Sequence, residues 1–279
     1  MSQEKEKFFI FGNPIEHSKS PQMHNSAFEH LNLNSFYDKY LLTDGKKIKE
    51  IFNSENIKGA NITVPHKEDA FKLADEVVGI ANEIEAVNTY VKKDDKIFAY
   101  NTDAPGFLKA ISDFGKIKSV LILGAGGTAK AIAMALKEEN VEVIILNRSA
   151  EKLVFFKEQG FKTYTWGNFQ MNHYDLIVNS TTAGLNNDDY PIKKTTLESI
   201  FLNAKYAFDC IYGKETPFLK LALAEGLKAK DGEDMLLYQG VLAFELFTDT
   251  KADESLIRVM REALKKDPSE DIIDDEEQK

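Results

Sequence analysis

The segment from Gly124 to Ala129 constrains this chain more than any other part of it. It reads Gly-Ala-Gly-Gly-Thr-Ala, follows the apolar run Val120 to Leu123 and precedes an alanine-rich stretch with helical spacing. A G-x-G-x-x-A turn between a strand and a helix lets the backbone approach a pyrophosphate at a helix N-terminus, where free N–H groups and the dipole favour anions. A glycine-rich turn without a ligand is the alternative, which the strand–turn–helix context disfavours. The candidate cofactor residues are therefore Gly124, Ala125, Gly126, Gly127, Thr128 and Ala129.

The residues after the next apolar strand predict which dinucleotide binds. That strand ends in Asn147-Arg148-Ser149, about twenty residues beyond Gly126, where chains that bind NAD usually carry an acid for the ribose 2′-hydroxyl. No acid is there. Arg148 instead offers a planar fork to a 2′-phosphate, and Ser149 and Lys152 add a hydroxyl and a second charge. The alternative is that Arg148 is a solvated loop charge and Ser149 only a helix cap. We expect NADP as the cofactor, with these residues and Asn147 at its 2′-phosphate.

The N-terminal part of the chain alternates between strand and helix patterns. Helical spacing follows Ser20-Pro21, with Ser20 as the predicted N-cap, and follows Pro65. This alternation implies parallel pairing of the strands. Asp94-Asp95 separates two further apolar runs like the turn of a hairpin, so we expect a mixed sheet here. Three earlier apolar runs have the length of buried strands: 8–12, 36–42 and 60–64.

A second strand–helix series begins at Lys118, and two amphipathic helices follow it at about 233–247 and 254–265. We expect these two helices to pack back against the first domain. The predicted fold is α/β with two domains: a substrate domain of residues 1–103 and about 233–266, and a Rossmann NADP-binding domain of residues 104–232. Residues 267–279 hold seven acidic side chains and one basic, so we expect a disordered acidic tail.

Charge and cysteine content exclude several classes of protein. The formal net charge is −10 at pH 7, whereas nucleic acids and anionic membranes call for clustered Lys and Arg. The single cysteine, Cys210, cannot form an internal disulfide, and no spacing of His and Cys is typical of a zinc site. No apolar run is long enough to span a membrane. We expect a cytoplasmic protein without a metal that binds a small molecule. A homodimer stays open.

Polar side chains of the N-terminal domain occur where strands end. Each has an ordinary alternative role: Ser20 and Asp103 as helix caps, Asn61 as a turn residue, and Lys67 as solvated surface. Hydroxyl, amide and charged groups gathered at strand ends suit a ligand rich in hydroxyl groups. The candidates are Ser18, Ser20, Asn61, Thr63, Lys67, Asn88 and Asp103.

The segments that carry these residues occur in one order along the chain, together with the glycine loop and Asn147-Arg-Ser. They include Asn61-Ile-Thr-Val-Pro-His-Lys67, Ala86-Val-Asn-Thr89, Asn101-Thr-Asp103, Asp209-Cys-Ile-Tyr212, Thr216-Pro-Phe-Leu219 and Met235-Leu-Leu-Tyr-Gln239. In this order and spacing the chain resembles the shikimate dehydrogenase family up to about Lys266. The resemblance implies a substrate domain, an NADP domain and reversible reduction of 3-dehydroshikimate to shikimate with NADPH, a step of aromatic amino acid and chorismate biosynthesis.

The resemblance also implies a role for each matching residue. Lys67 would be the catalytic acid or base beside Asp103. Ser18 and Ser20 would bind the substrate carboxylate, with Tyr212 near the same end. Gly232 and Met235 would line the nicotinamide pocket. Lys152 stands where many members have arginine, which implies a looser 2′-phosphate contact. The residues that would hold ring hydroxyls are Asn61, Thr63, Asn88, Asp103 and Gln239.

Two other functions stay open beside this one. A dehydrogenase of relaxed specificity that also accepts quinate, with NAD, would favour an acid near Asn147 and a replacement among the substrate serines, and neither is present. A non-catalytic NADP-binding sensor would have lost Lys67 or Asp103, and the chain keeps both. His17, His24 and His66 have no ligand partner at close spacing, so we assign them no direct catalytic part.

Overall fold

The computed structural model describes residues 4–266, so the predicted acidic tail at 267–279 lies outside the described residues. The chain divides into two compact units. Unit 1 runs to Thr102 and resumes at Gln239, and unit 2 spans Asp103–Tyr238. None of the helices between residues 4 and 266 is long and apolar enough to cross a membrane.

Unit 1 is built on a mixed six-stranded sheet of order β2-β1-β3-β5-β6-β4. β1 pairs in parallel with β2 and β3, as the alternation predicted, and β5 pairs antiparallel with β6, as the hairpin predicted. β5 also pairs antiparallel with β3, which was not predicted. The elements are β1 (Glu6–Gly12), α1 (Ser20–His30), β2 (Ser35–Leu41), α2 (Ile48–Ser54), β3 (Gly59–Ile62), α3 (Lys67–Leu73), β4 (Glu76–Val77), α4 (Ala81–Ile84), β5 (Thr89–Lys93) and β6 (Lys96–Tyr100).

The turn between β5 and β6 follows directly from its residues. Asp94 and Asp95 have φ values of 48° and 60°, the left-handed conformation that a two-residue hairpin turn requires and that Asp tolerates better than most residues. Two predicted helix starts were less accurate. Ser20 is the first residue of α1 and Lys19 is its N-cap, and α3 begins at Lys67 rather than at Pro65.

Unit 2 contains a six-stranded sheet of order β12-β11-β10-β7-β8-β9, with every pair parallel. This is the strand order of a doubly wound dinucleotide-binding fold, which reverses direction next to its first strand, β7. The elements are α5 (Asp103–Ala110), β7 (Ser119–Leu123), α6 (Gly127–Glu138), β8 (Glu142–Asn147), α7 (Val154–Glu158), β9 (Lys162–Thr165), β10 (Leu176–Asn179), α8 (Lys194–Phe201), β11 (Tyr206–Asp209), α9 (Pro217–Ala224) and β12 (Lys228–Lys230).

Two C-terminal helices complete the fold, α10 (Glu233–Thr248) and α11 (Glu254–Lys265). α11 packs along α1 in unit 1, where Lys19 Nζ donates to the Leu264 carbonyl at 2.7 Å and Gln22 Nε2 donates to the Ala263 carbonyl at 2.6 Å. The expected return of the chain to its first domain is therefore confirmed for this helix. α10 begins in unit 2 and continues into unit 1, so the units part six residues later than the expected position after residue 232.

Candidate functional site

The glycine loop of unit 2 has the geometry of an anion cradle. Gly124 follows β7 with φ +110°, and a Cβ on it would lie 2.6 Å from Ser180 Oγ, so no larger residue fits there. α6 begins at Gly127, and its N-cap Gly126 supplies no side-chain cap. A Cβ on Gly126 would meet no atom within 4 Å, which leaves space in front of the helix. The free N–H groups at this open N-terminus of α6, together with the positive end of the helix dipole, favour a pyrophosphate group there.

Two positively charged side chains follow β8, close together in sequence and exposed to solvent. Arg148 and Lys152 are both exposed. Asn147 Nδ2 donates to the Ser149 carbonyl at 2.9 Å, which fixes the turn that carries Arg148. Thr128 is partly buried and Ala129 is fully buried beneath the glycine loop, whereas Ala125 packs into the core of the unit. The arrangement suits a dinucleotide whose ribose carries a phosphate.

A buried carboxyl group joins the ends of β10 and β11. Asp209 Oδ2 accepts from the Thr216 hydroxyl at 2.6 Å, and Oδ1 accepts from Asn179 Nδ2 and the Ile211 N–H, each at 3.1 Å. Burial raises the pKa of Asp209 to about 6. Thr216 Oγ1 also accepts from Leu219 N and caps α9. This network fixes both ends of the loop that carries the half-buried Tyr212, and sequence reasoning gave Asn179, Asp209 and Thr216 no role of their own.

Three other predicted residues lie elsewhere in unit 2. Gly232 is buried, and a Cβ on it would come within 2.4 Å of the Cys210 carbonyl oxygen, so the close approach of these two segments depends on glycine. Met235 is 6% exposed and packs into the hydrophobic core of the unit. Asp103 begins α5 and is 6% exposed.

In unit 1, Asn61 lies at the centre of a buried polar network. Its Oδ1 accepts from the Tyr37 hydroxyl at 2.7 Å, and its Nδ2 donates to the Asn88 carbonyl at 3.3 Å and to Thr89 Oγ1 at 3.2 Å. Asn61, Asn88 and Thr89 are each at most 4% exposed. Asn61 lies within β3, so the alternative of an ordinary turn residue does not hold for it.

Asn88 extends this network to Thr102 and to α10. The Thr102 N–H donates to Asn88 Oδ1 at 2.8 Å, and Asn88 Nδ2 donates to Thr102 Oγ1 at 2.9 Å. Asn88 Nδ2 also lies 3.5 Å from Gln239 Oε1, the limit of a hydrogen bond. The structure thus brings together Asn61, Asn88 and Gln239, three residues that the sequence reasoning proposed for one ligand.

Ser18, Ser20, Thr63 and Lys67 belong to the same unit. Ser18 Oγ accepts from the Ser20 N–H at 3.3 Å, and both serines are buried. Thr63 follows β3 and is half-buried. Lys67 is 8% exposed, and its carbonyl accepts from the Val87 N–H at 3.0 Å. The alternative of a solvated surface lysine does not hold for Lys67, because a lysine with this little exposure does not serve solubility.

The histidines do not form a reactive group. The His24 ring is fully buried and stacks on Tyr37 with centroids 4.4 Å apart, and burial lowers the pKa of His24 to about 3. His66 Nε2 lies 2.6 Å from the Leu42 carbonyl oxygen. Since a carbonyl oxygen only accepts, this nitrogen carries the hydrogen and donates a hydrogen bond to it. His17 is exposed. Within residues 4–266 no group of three His, Cys, Asp or Glu side chains is placed to hold a metal.

The fold and these sites define a class of protein. Unit 2 has a parallel sheet with a glycine loop after its first strand, and unit 1 has a buried polar network. Together these features define an NADP-binding oxidoreductase of two units. Three family profiles match the chain in order: the shikimate dehydrogenase substrate binding domain at residues 10–90, shikimate/quinate 5-dehydrogenase at 107–199 and the shikimate 5′-dehydrogenase C-terminal domain at 232–265.

Individual relatives agree with these profiles. Shikimate dehydrogenase (NADP(+)) of Helicobacter hepaticus is 45% identical over 256 residues, which cover 91% of this chain and 95% of that protein. The crystal structure of shikimate dehydrogenase from Aquifex aeolicus matches with a TM-score of 0.83 at 32% identity, covering 95% of this chain and 100% of that one. The shikimate 5-dehydrogenase of Thermus thermophilus, solved in complex with NADP(H) and shikimate, matches with a TM-score of 0.81 at 34% identity over 93% and 98%.

The chain belongs to the shikimate dehydrogenase family. The resemblance drawn from the sequence motifs is thereby confirmed, and so is the α/β fold of two units.

The buried His24 makes the stability of the protein depend on pH. Its pKa is about 3 in the folded chain, against an ordinary 6.5, so between these values the unfolded chain binds a proton that the folded chain does not. The free energy of unfolding therefore falls as the pH falls from 6.5. By pH 5 this one group should cost about 2 kcal/mol. His24→Phe keeps a ring against Tyr37 and removes the titration, so the variant should lose about that much less stability between pH 8 and pH 5.

Urea denaturation of both proteins at the two pH values measures this difference. Parallel losses of stability in the wild type and in His24→Phe would contradict the assignment, because they would show that His24 is not held neutral by burial.

Proposed function

We propose that this chain is a cytoplasmic enzyme that reduces 3-dehydroshikimate to shikimate with NADPH, reversibly, in aromatic amino acid biosynthesis. The observation that carries the proposal is the buried network of Asn61, Asn88 and Gln239 in unit 1 of a chain whose unit 2 has a dinucleotide-type glycine loop. The complex of the Thermus thermophilus relative with NADP(H) and shikimate supports the pairing of these two ligands.

The cofactor residues lie on unit 2. The loop from Gly124 to Ala129 would bind the pyrophosphate through backbone N–H groups, and Arg148, Ser149 and Lys152 would bind the 2′-phosphate. Gly232 and Met235 would border the nicotinamide, with Tyr212 on the neighbouring loop. When bound, NADPH supplies the hydride, and the protein's own residues supply orientation and the proton.

The substrate residues lie mainly on unit 1. Buried amide and hydroxyl groups of Asn61, Thr63, Asn88 and Gln239 match the hydroxyl groups of a polyol ring in donor and acceptor capacity. The hydroxyls of Ser18 and Ser20 would donate to the carboxylate. A site built to hydrogen-bond hydroxyl groups rejects analogues that lack them, because its own buried polar groups would then stay unpaired.

Lys67 would transfer the proton. Hydride addition to the carbonyl carbon leaves negative charge on the oxygen, and an ammonium group beside that oxygen donates the proton that makes the alcohol. In the reverse direction the amine takes the proton back. Asp103 would hold the ring hydroxyl next to the reacting carbon.

Initial rates of NADP reduction with shikimate test the proposal directly. Measurable turnover with shikimate and NADP, at a higher kcat/KM than with quinate or with NAD, is the expected result. Equal kcat/KM values for quinate and shikimate would support the dehydrogenase of relaxed specificity instead. Tight NADP binding without turnover of either acid would support the sensor.

Arg148→Ala should raise the KM for NADP and leave the KM for NAD nearly unchanged. The lost bonds contact only the 2′-phosphate, and one hydrogen bond to a charged group is worth about 1.5–3 kcal/mol, which corresponds to about ten- to a hundredfold. Steady-state kinetics with both cofactors measure the split.

Arg258→Ala provides the matched control, because Arg258 is also exposed but lies on α11 in unit 1. It should leave both KM values at the wild-type level. An equal rise of the two KM values in Arg148→Ala would remove Arg148 from the 2′-phosphate.

Lys67→Ala should lower kcat by about 10²–10⁴, the usual cost of losing a positioned proton-transfer group, while the KM for shikimate changes little. The KM is expected to hold because the amides of Asn61, Asn88 and Gln239 still bind the ring. Steady-state rates from pH 6 to pH 10 measure both parameters.

Lys72→Ala is the control for this substitution, since Lys72 lies on the same helix and is exposed. Its kcat should equal that of the wild type. Near wild-type kcat in Lys67→Ala at every pH would assign the proton transfer to another group.

A further inference from the structure

We propose that Tyr37 is a positioning residue of the substrate site, holding Asn61 in the orientation that binds shikimate. The inference rests on the proposed function, since it takes Asn61 as a substrate residue. Tyr37 lies on β2 and is 2% exposed. It lies outside the motifs on which the family resemblance rests.

The Tyr37 hydroxyl reaches from β2 to a proposed substrate residue on β3. It donates to Asn61 Oδ1 at 2.7 Å. Burial raises the pKa of Tyr37 well above its usual value, so the hydroxyl keeps its proton at neutral pH and is a donor there.

This donation decides which way the Asn61 amide points. A donor at one side of the amide requires the oxygen there, so the nitrogen faces the Asn88 carbonyl and Thr89 Oγ1 on the other side. Without the tyrosine hydroxyl, Asn61 Oδ1 would lose its partner in a site that excludes water, and the amide could rotate. Tyr37 therefore sets which atom of Asn61 meets a ligand hydroxyl.

Tyr37 is itself held rigidly, as a positioning residue must be. Asn25 of α1 accepts from the Tyr37 N–H at 2.8 Å and donates to the Tyr37 carbonyl at 2.9 Å. The ring of His24 lies flat against the tyrosine ring, with an interplanar angle of 10°. The helix α1, which also carries Ser20, thus fixes both the backbone and the ring of Tyr37.

Tyr37→Phe removes one oxygen atom and tests this role. We expect the KM for shikimate to rise about tenfold, the effect of losing one hydrogen bond, while kcat falls less and the KM for NADP stays unchanged. A general loss of stability would not produce this split between the two ligands. An unchanged KM for shikimate in the folded variant would overturn the proposal.

Tyr90→Phe is the matched control. Tyr90 is equally buried in the same unit, and its hydroxyl donates to the Ala70 carbonyl rather than to a substrate residue. This variant should lose stability in urea and keep the wild-type KM for shikimate. A rise in Tyr90→Phe equal to that in Tyr37→Phe would overturn the positioning role, because both effects would then reflect packing.

A double-mutant cycle with Asn61→Ala separates action through Asn61 from direct binding. If Tyr37 acts by orienting Asn61, adding Tyr37→Phe to Asn61→Ala should leave the KM for shikimate at the value of Asn61→Ala alone. Full multiplication of the two separate increases would overturn the proposal. Failure of the wild-type protein to turn over shikimate would instead refute the proposed function, so the two failures are distinguishable.

Discussion

The pairing of buried amide and hydroxyl groups constrains unit 1. Asn61, Asn88 and Thr89 lie among strands where water is excluded, and an unpaired amide there costs about 1–3 kcal/mol. The strands pair in a register in which these side chains bond to one another and to Tyr37, Thr102 and Gln239. A network that satisfies itself without a ligand is also preorganised, which reduces the cost of binding one.

In unit 2, close backbone approach and a buried carboxyl group hold the strand ends in place. Its parallel strands end at one edge, where Gly124 and Gly232 let the backbone come close and the Asp209 carboxyl group ties the ends of β10 and β11 to the start of α9. Backbone N–H groups at the start of α6 favour an anion there. Unit 2 thus offers a cradle for an anion, and unit 1 offers a paired network of buried polar groups.

Turns that depend on a few adjacent residues were predictable from the sequence. Side-chain bonds between residues far apart in the chain were not. The glycine loop and the Asp94-Asp95 turn each need only a few adjacent residues to adopt a special backbone conformation, so their residue types reveal them. Tyr37 bonds to a residue 24 positions away, and Asn179 to one 30 positions away, and nothing in either local pattern distinguishes them from core residues. β9 and β12 were missed because Lys162-Thr-Tyr-Thr and Lys228-Ala-Lys lack the apolar run that marks a buried strand. The roles of Lys67 and Asp103 stay predictions.

Hydrogen–deuterium exchange of the full chain with each ligand alone tests most directly the proposal that shikimate binds mainly to unit 1 and NADP to unit 2. Shikimate alone should slow exchange in peptides that contain β3 and the segment from Asn88 to Thr102, and NADP alone should slow exchange in peptides that contain the start of α6 and the turn at Arg148. The account is contradicted if shikimate leaves the peptides of unit 1 unchanged and protects only the glycine loop of unit 2.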